Sequence, residues 1–137
     1  MKTEQLNLVD KAIDWSNKNL LLVEDNEVSI KLIKEYLHRT NIGITVSQCA
    51  KDTISLINHS KYYDAILLDI RLPDNNGLEL YRIIREKVPE IPVVICTAIQ
   101  EVSLRRVLYA EEQNIPDILI KPVTKRDVLE TLLPYMN

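Results

Sequence analysis

ILLDIRLPDNNGLEL (residues 66–80) runs through unbroken apolar residues into one acid, Asp69, then through Pro73, Asp74, Asn75, Asn76 and Gly77 into a new apolar pattern. A continuous apolar run suits a strand covered on both faces, because a strand with one wet face alternates. Pro, Asp, Asn and Gly in succession are turn chemistry. Leu80, Ile83 and Ile84 then recur at helical spacing. The stretch reads as strand, loop and helix, with Asp69 where the strand ends.

The same unit repeats on either side. Apolar runs stand at Leu20–Val23, Ile44–Ser47, Ala65–Leu68, Val93–Cys96 and Ile118–Ile120, and only Ile44–Ser47 alternates. Helical stripes follow each run: Val28, Leu32, Ile33, Tyr36 and Leu37; Ile54 and Ile57; Leu80, Ile83 and Ile84; Val102, Leu108 and Tyr109; and Val128, Leu129, Leu132 and Leu133. Gly43, Pro89 and Pro92 mark turns before strands, and Thr124 is placed to cap the last helix. Successive βα units of this kind predict an α/β fold, a parallel sheet with right-handed crossovers. Residues 1–18 precede the repeat. Leu6, Val9 and Ile13 share one helical face there, with Trp15 near its end, and the segment reads as an N-terminal extension or linker with helical character.

At 137 residues, 46% hydrophobic and 27% charged, the chain fits a single globular domain with a sizeable core. A net charge of −3 argues against nucleic acid or an anionic membrane surface as direct partner. Cys49 and Cys96 lack metal-ligand spacing and read as buried, reduced thiols. No apolar run approaches the roughly 20 residues of a membrane span, and charges break up the N-terminal apolar residues that a signal peptide would need. The expectation is a soluble, cytoplasmic domain, compatible with a membrane-anchored parent protein.

Ligands of open parallel sheets bind outside the carboxyl ends of the strands. Glu24 and Asp25 end the first run, Asp69 the third, Thr97 the fourth, and Lys121, followed by Pro122, the fifth. Each alone is unremarkable: an Asp after a strand is usually a turn residue, and a Lys-Pro pair usually surface. Their joint placement on one edge is specific. Carboxylates in one site repel unless a cation is shared among them, and a few carboxylate oxygens suit Mg2+, which keeps waters for substrate oxygens. An Asp carboxylate can accept a phosphoryl group as a nucleophile. Lys121 and Thr97 would then neutralise and hydrogen-bond the transferred oxygens.

With LLLVEDN, ILLDIRLPDNNGLEL, VVICTA and ILIKPVTKRDVLETL in order over residues 19–137, the chain resembles the receiver domains of two-component response regulators. The resemblance implies a three-layer, doubly wound, flavodoxin-like domain with strand order 2-1-3-4-5. It implies a phosphoacceptor at Asp69, and Mg2+ or Mn2+ held by Asp25, Asp69 and the backbone carbonyl of Arg71, with Glu24 acting through a metal-bound water. Thr97 and Lys121 would bind phosphoryl oxygens. The Lys121–Pro122 bond would be cis, and Gly77 would be structural. The donor would be a histidine kinase or histidine phosphotransfer domain, and the new charge would switch a partner-binding surface.

The chain departs from the family pattern in places. The acidic pair is Glu-Asp rather than Asp-Asp. Ile118 stands where an aromatic switch residue is usual, so Thr97 and Ile118 would form an altered switch. Asn114 replaces a frequent Gly, and the segment before Lys121 is longer than usual. Ile99 flanks the path of the hydrolytic water in this family, and its apolar side chain is expected either to slow dephosphorylation or simply to start a helix. Arg105, Arg106, Glu111 and Glu112 read as solvated surface rather than a dimer face. Asp14-Trp15-Ser16 looks like the linkers before receivers of hybrid histidine kinases, which ranks that context above a stand-alone regulator or one lacking its output domain. An aspartyl-phosphate hydrolase would carry a second acid where Arg71 stands. A pseudo-receiver would have lost an acid or the lysine, and a flavin binder would not place Glu24-Asp25 where its phosphate loop belongs.

Overall fold

Five parallel strands in the order β2-β1-β3-β4-β5 carry the computed structural model, which describes residues 13–59, 62–74, 77–98 and 116–136. They are β1 (Asn19–Val23), β2 (Gly43–Ser47), β3 (Ala65–Leu68), β4 (Val93–Thr97) and β5 (Asp117–Ile120). The described helices are α1 (Glu27–Leu37), α2 (Ala50–Asn58), α3 (Gly77–Lys87) and α4 (Lys125–Leu132), with single 3-10 turns at His38–Thr40 and Leu133–Tyr135. The expected stripe at Val102–Tyr109 and the positions Ile99, Asn114, Arg105, Arg106, Glu111 and Glu112 lie outside the described residues. Among the described residues, no helix is long and apolar enough to cross a membrane.

Strand side chains alternate between two cores, as the pleat requires. On one face Leu20, Leu22, Ala65, Leu67, Val94 and Cys96 pack against α1 and α4. On the other, Leu21, Val23, Ile66, Leu68, Val93 and Ile95 pack against α2 and α3. Both faces of β1, β3 and β4 are therefore apolar, which is why those sequences do not alternate. β2, an edge strand, is mostly half-buried.

The α1 stripe is corrected by the structure. Ile30, Ile33 and Leu37 are buried, whereas Val28 is 75% and Leu32 40% exposed. Both sets have helical spacing, and only the direction of approach to the sheet decides which one turns inward. In α3 the buried residues are Gly77, Leu80, Tyr81 and Ile84, and Ile83 is half-buried. Trp15 is buried in the α1–α4 core and donates its backbone N–H to the Thr40 carbonyl at 2.7 Å, so residues 13–18 pack on the domain.

Two helices begin with clear local chemistry. The Asn26 side chain accepts from the Val28 and Ser29 backbone N–H groups at the start of α1. Thr124 and Asp127 form a reciprocal capping box on α4. α2 differs: Cys49 stands at its N-cap position and makes no side-chain cap hydrogen bond.

Candidate functional site

The sheet delivers its polar residues to one edge. Parallel pairing brings the ends of β1 and β3 level, Val23 opposite Leu68. The Asp69 N–H donates to the Val23 carbonyl at 2.9 Å, and the Glu24 N–H donates to Ser47 O at 2.9 Å. At the other side of β3, the Lys121 N–H donates to the Thr97 carbonyl at 2.9 Å. Backbone bonds thus fix where these side chains start. Glu24, Asp69 and Thr97 are buried, Asp25 is exposed, and Arg71 is exposed.

Lys121 joins the cluster. Its Nζ donates to Asp69 Oδ2 at 2.8 Å, to Glu24 Oε1, and to Ser29 Oγ on α1 at 3.3 Å. The other Asp69 oxygen, Oδ1, accepts the Arg71 backbone N–H at 2.8 Å, folding that backbone over the carboxylate. Glu24 Oε2 accepts the Asn26 N–H at 3.2 Å. Burial pushes the Glu24 carboxyl above the ordinary range, against the Lys121 hydrogen bond, and the nearby Asp69 charge adds to the rise. Burial pulls the Lys121 ammonium down, but hydrogen bonds to Asp69 and Glu24 outweigh it and hold the lysine protonated. The result is two buried acids sharing one fixed cation.

Among the described residues, no group of three His, Cys, Asp or Glu side chains stands close enough to cage an ion. Mg2+ does not need such a cage, since it keeps several waters and takes one or two protein carboxylates. Glu24, Asp25, Asp69 and the Arg71 carbonyl are hard oxygen donors near one edge, a set that fits it.

The loop after Asp69 is held at both ends. The Gly77 N–H donates to Ile70 O at 3.0 Å, and a Cβ at Gly77 would lie under 3.0 Å from the Ile70 backbone. Only glycine allows that approach. The Lys121–Pro122 peptide is cis. Ile118, level with Ile95 of β4, is half-buried against the α2–α3 core. Beside Lys121, an apolar hollow of about 300 Å³ is lined by Ser29, Leu32, Ile33, Cys96, Pro122 and Val123.

Sequence reasoning missed two contributors. Ser29 lies 92 positions from the lysine it contacts, with no local signal of the pairing. Asp74 looked like an ordinary turn residue, yet it reaches α2: Oδ1 accepts the Ala50 N–H at 2.8 Å and Oδ2 the Lys51 N–H at 3.1 Å. A hint was available, because Cys at an N-cap supplies no good acceptor.

A family model described as the response regulator receiver domain matches residues 20–133. The transcriptional regulatory protein ResD of Bacillus subtilis is 33% identical over 118 residues, which cover 85% of this chain and 48% of ResD. The hybrid signal transduction histidine kinase L of Dictyostelium discoideum is 28% identical over 85% of this chain and 7% of its own. Against both relatives the chain spans less than half of their length. Among solved structures, the signal receiver domain of a LuxO repressor protein from Vibrio parahaemolyticus superposes with a TM-score of 0.75 at 27% identity, covering 87% of this chain and 89% of that one.

Proposed function

The chain belongs to the response regulator receiver domain family, and on that premise we propose that Asp69 accepts a phosphoryl group from a phosphohistidine. The observation that carries this reading is the pair of buried acids, Asp69 and Glu24, bridged by half-buried Lys121 at the carboxyl edge of the sheet. We read the domain as a signalling module rather than a conventional enzyme, a reading that its family membership supports.

In the proposed reaction, a carboxylate oxygen of Asp69 attacks phosphorus, an acyl-phosphate O–P bond forms, and the P–N bond to the donor imidazole breaks. The departing imidazole keeps the bonding electrons and takes up a proton from solvent. Lys121, already 2.8 Å from Asp69, remains to neutralise a phosphoryl oxygen. Thr97, buried at the end of β4, is the proposed hydroxyl donor to another. Glu24, Asp25, Asp69 and the Arg71 carbonyl would hold Mg2+ or Mn2+, which supplies charge neutralisation when bound. The added charge would bias a switch through Thr97 and Ile118.

The partner is a histidine kinase or histidine phosphotransfer domain, in the cytoplasm. The similarity to a hybrid kinase supports, alongside Asp14-Trp15-Ser16, a place within such a protein. An aspartyl-phosphate hydrolase is disfavoured by Arg71, whose side chain is no acid.

Incubation with Mg2+ and acetyl phosphate, read by intact mass, tests the assignment. A single phosphoryl adduct is expected, absent in Asp69→Asn and absent with a chelator. No adduct with that donor, none with a phosphohistidine donor, and no Mg2+ binding would refute it and leave a pseudo-receiver.

A further inference from the structure

Helix α2 begins without a capping side chain of its own, and its first backbone N–H groups are the ones most in need of an acceptor. The acceptor comes from the loop that follows Asp69. Asp74 spans the N–H groups of Ala50 and Lys51 with its two carboxylate oxygens. A carboxylate at a helix N-terminus also meets the positive end of the helix dipole. Those two hydrogen bonds hold the Asp74 carboxyl below the ordinary aspartate range.

The same loop is fixed at two other places, by Arg71 N–H to Asp69 at 2.8 Å and by Gly77 N–H to Ile70 at 3.0 Å. Between these, Leu72 packs on the α2–α3 core, and Asp74 adds a hydrogen-bonded tie from the loop to the first turn of α2. Without Asp74, the stretch from Arg71 to Asp74 keeps the packing of Leu72 on the α2–α3 core but loses its hydrogen bonds to the α2 backbone. We propose that Asp74 is a positioning residue for phosphoryl acceptance, holding the loop against α2 so that the Arg71 backbone stays over Asp69. The inference rests on the phosphoacceptor reading above, and it adds α2 to the elements that shape the site. Coupling is reciprocal: a cation that binds the ordered loop also strengthens the bonds at Ala50 and Lys51.

The test uses the full chain and Mg2+ alone. Isothermal titration of wild type, Asp74→Ala and Asp74→Asn reads affinity, and circular dichroism confirms the fold at the titration temperature. Asp74→Ala is expected to weaken Mg2+ binding by about tenfold, the order typical of groups that orient metal ligands. Asp74→Asn is expected to recover part of that loss, because its amide oxygen still accepts an N–H. An Asp74→Ala affinity within about twofold of wild type, even with a lower melting temperature, would overturn the proposal and leave Asp74 a helix cap only. Hydrogen exchange on wild type is independent of any variant's folding. Slower exchange of the Ala50 and Lys51 amides on adding Mg2+ is expected, and unchanged exchange overturns the proposal. Wild type that binds no Mg2+ and takes no phosphoryl group would instead overturn the site reading, and this inference with it.

Discussion

Replacing Lys121 by Met keeps most of the side-chain volume and removes the cation from between two buried acids. The Lys121 side chain is 21% exposed, against 4% for Glu24 and 8% for Asp69. At the 2.8 Å separation from Asp69, Coulomb attraction in an effective dielectric of about 20 is roughly 6 kcal/mol before desolvation is subtracted. Partial exposure of the ammonium reduces its share, and removing one partner of a buried pair typically costs 3–5 kcal/mol. A loss of about 3 kcal/mol, at the lower end of that range, is expected for Lys121→Met in chelator. Urea unfolding measures it, followed by circular dichroism and by the fluorescence of Trp15, the single tryptophan and a core residue. Millimolar Mg2+ should narrow the gap, because the ion supplies charge to the same carboxylates and stabilises whichever folded protein binds it more tightly. A loss below about 0.5 kcal/mol in chelator, the size of an exposed ion pair, would refute the claim that Lys121 compensates buried charge. An equal loss with and without Mg2+ would refute the claim that the two cations draw on the same acids.

Gly77→Ala should destabilise by about 3 kcal/mol, because the new methyl meets rigid Ile70 backbone rather than a movable side chain; an unfolding midpoint unchanged from wild type would contradict the close approach. For Asp74 the pH sign follows from its lowered folded-state pKa. Its stabilising contribution is present above the ordinary value of 3.8 and is lost as pH falls through the lower folded value. The stability gap between wild type and Asp74→Ala should therefore hold from neutral pH down to that region and close below it, and a gap that widens in acid would show the sign to be wrong. Burial pushes the Cys96 thiol up to about 12, so native protein at pH about 8 should resist iodoacetamide at Cys96 until unfolded, while half-buried Cys49 reacts first. Peptide mass mapping distinguishes the two, and rapid native labelling of Cys96 would contradict its burial.

Much of this molecule is decided by local pattern. Continuous apolar runs at Leu20–Val23, Ala65–Leu68 and Val93–Cys96 can only be covered on both sides, and that requirement, with helices between them, forces the layered parallel sheet. Asp69 and Thr97 follow two of those runs directly, and Lys121 follows the run Ile118–Ile120, so their arrival on one edge was legible without coordinates. Thr124 announced the start of the last helix by its type and position, and the structure adds Asp127 as its partner in the capping box.

What the sequence could not decide depends on how elements approach one another. α1 carries two possible apolar stripes, and packing against β1 and α4 selected Ile30, Ile33 and Leu37, leaving Val28 and Leu32 outside. Trp15 stands before the first strand, and only the tertiary fold makes it core. The shared proton donor Lys121, its contact with Ser29 and the reach of Asp74 to α2 join residues 97, 52, 92, 24 and 23 positions apart. A sequence specifies which side chains can donate and accept through short-range spacing. Which donor meets which acceptor across such separations is set by sheet register and helix packing, because those fix distance, and hydrogen bonds and buried charges are decided by distance.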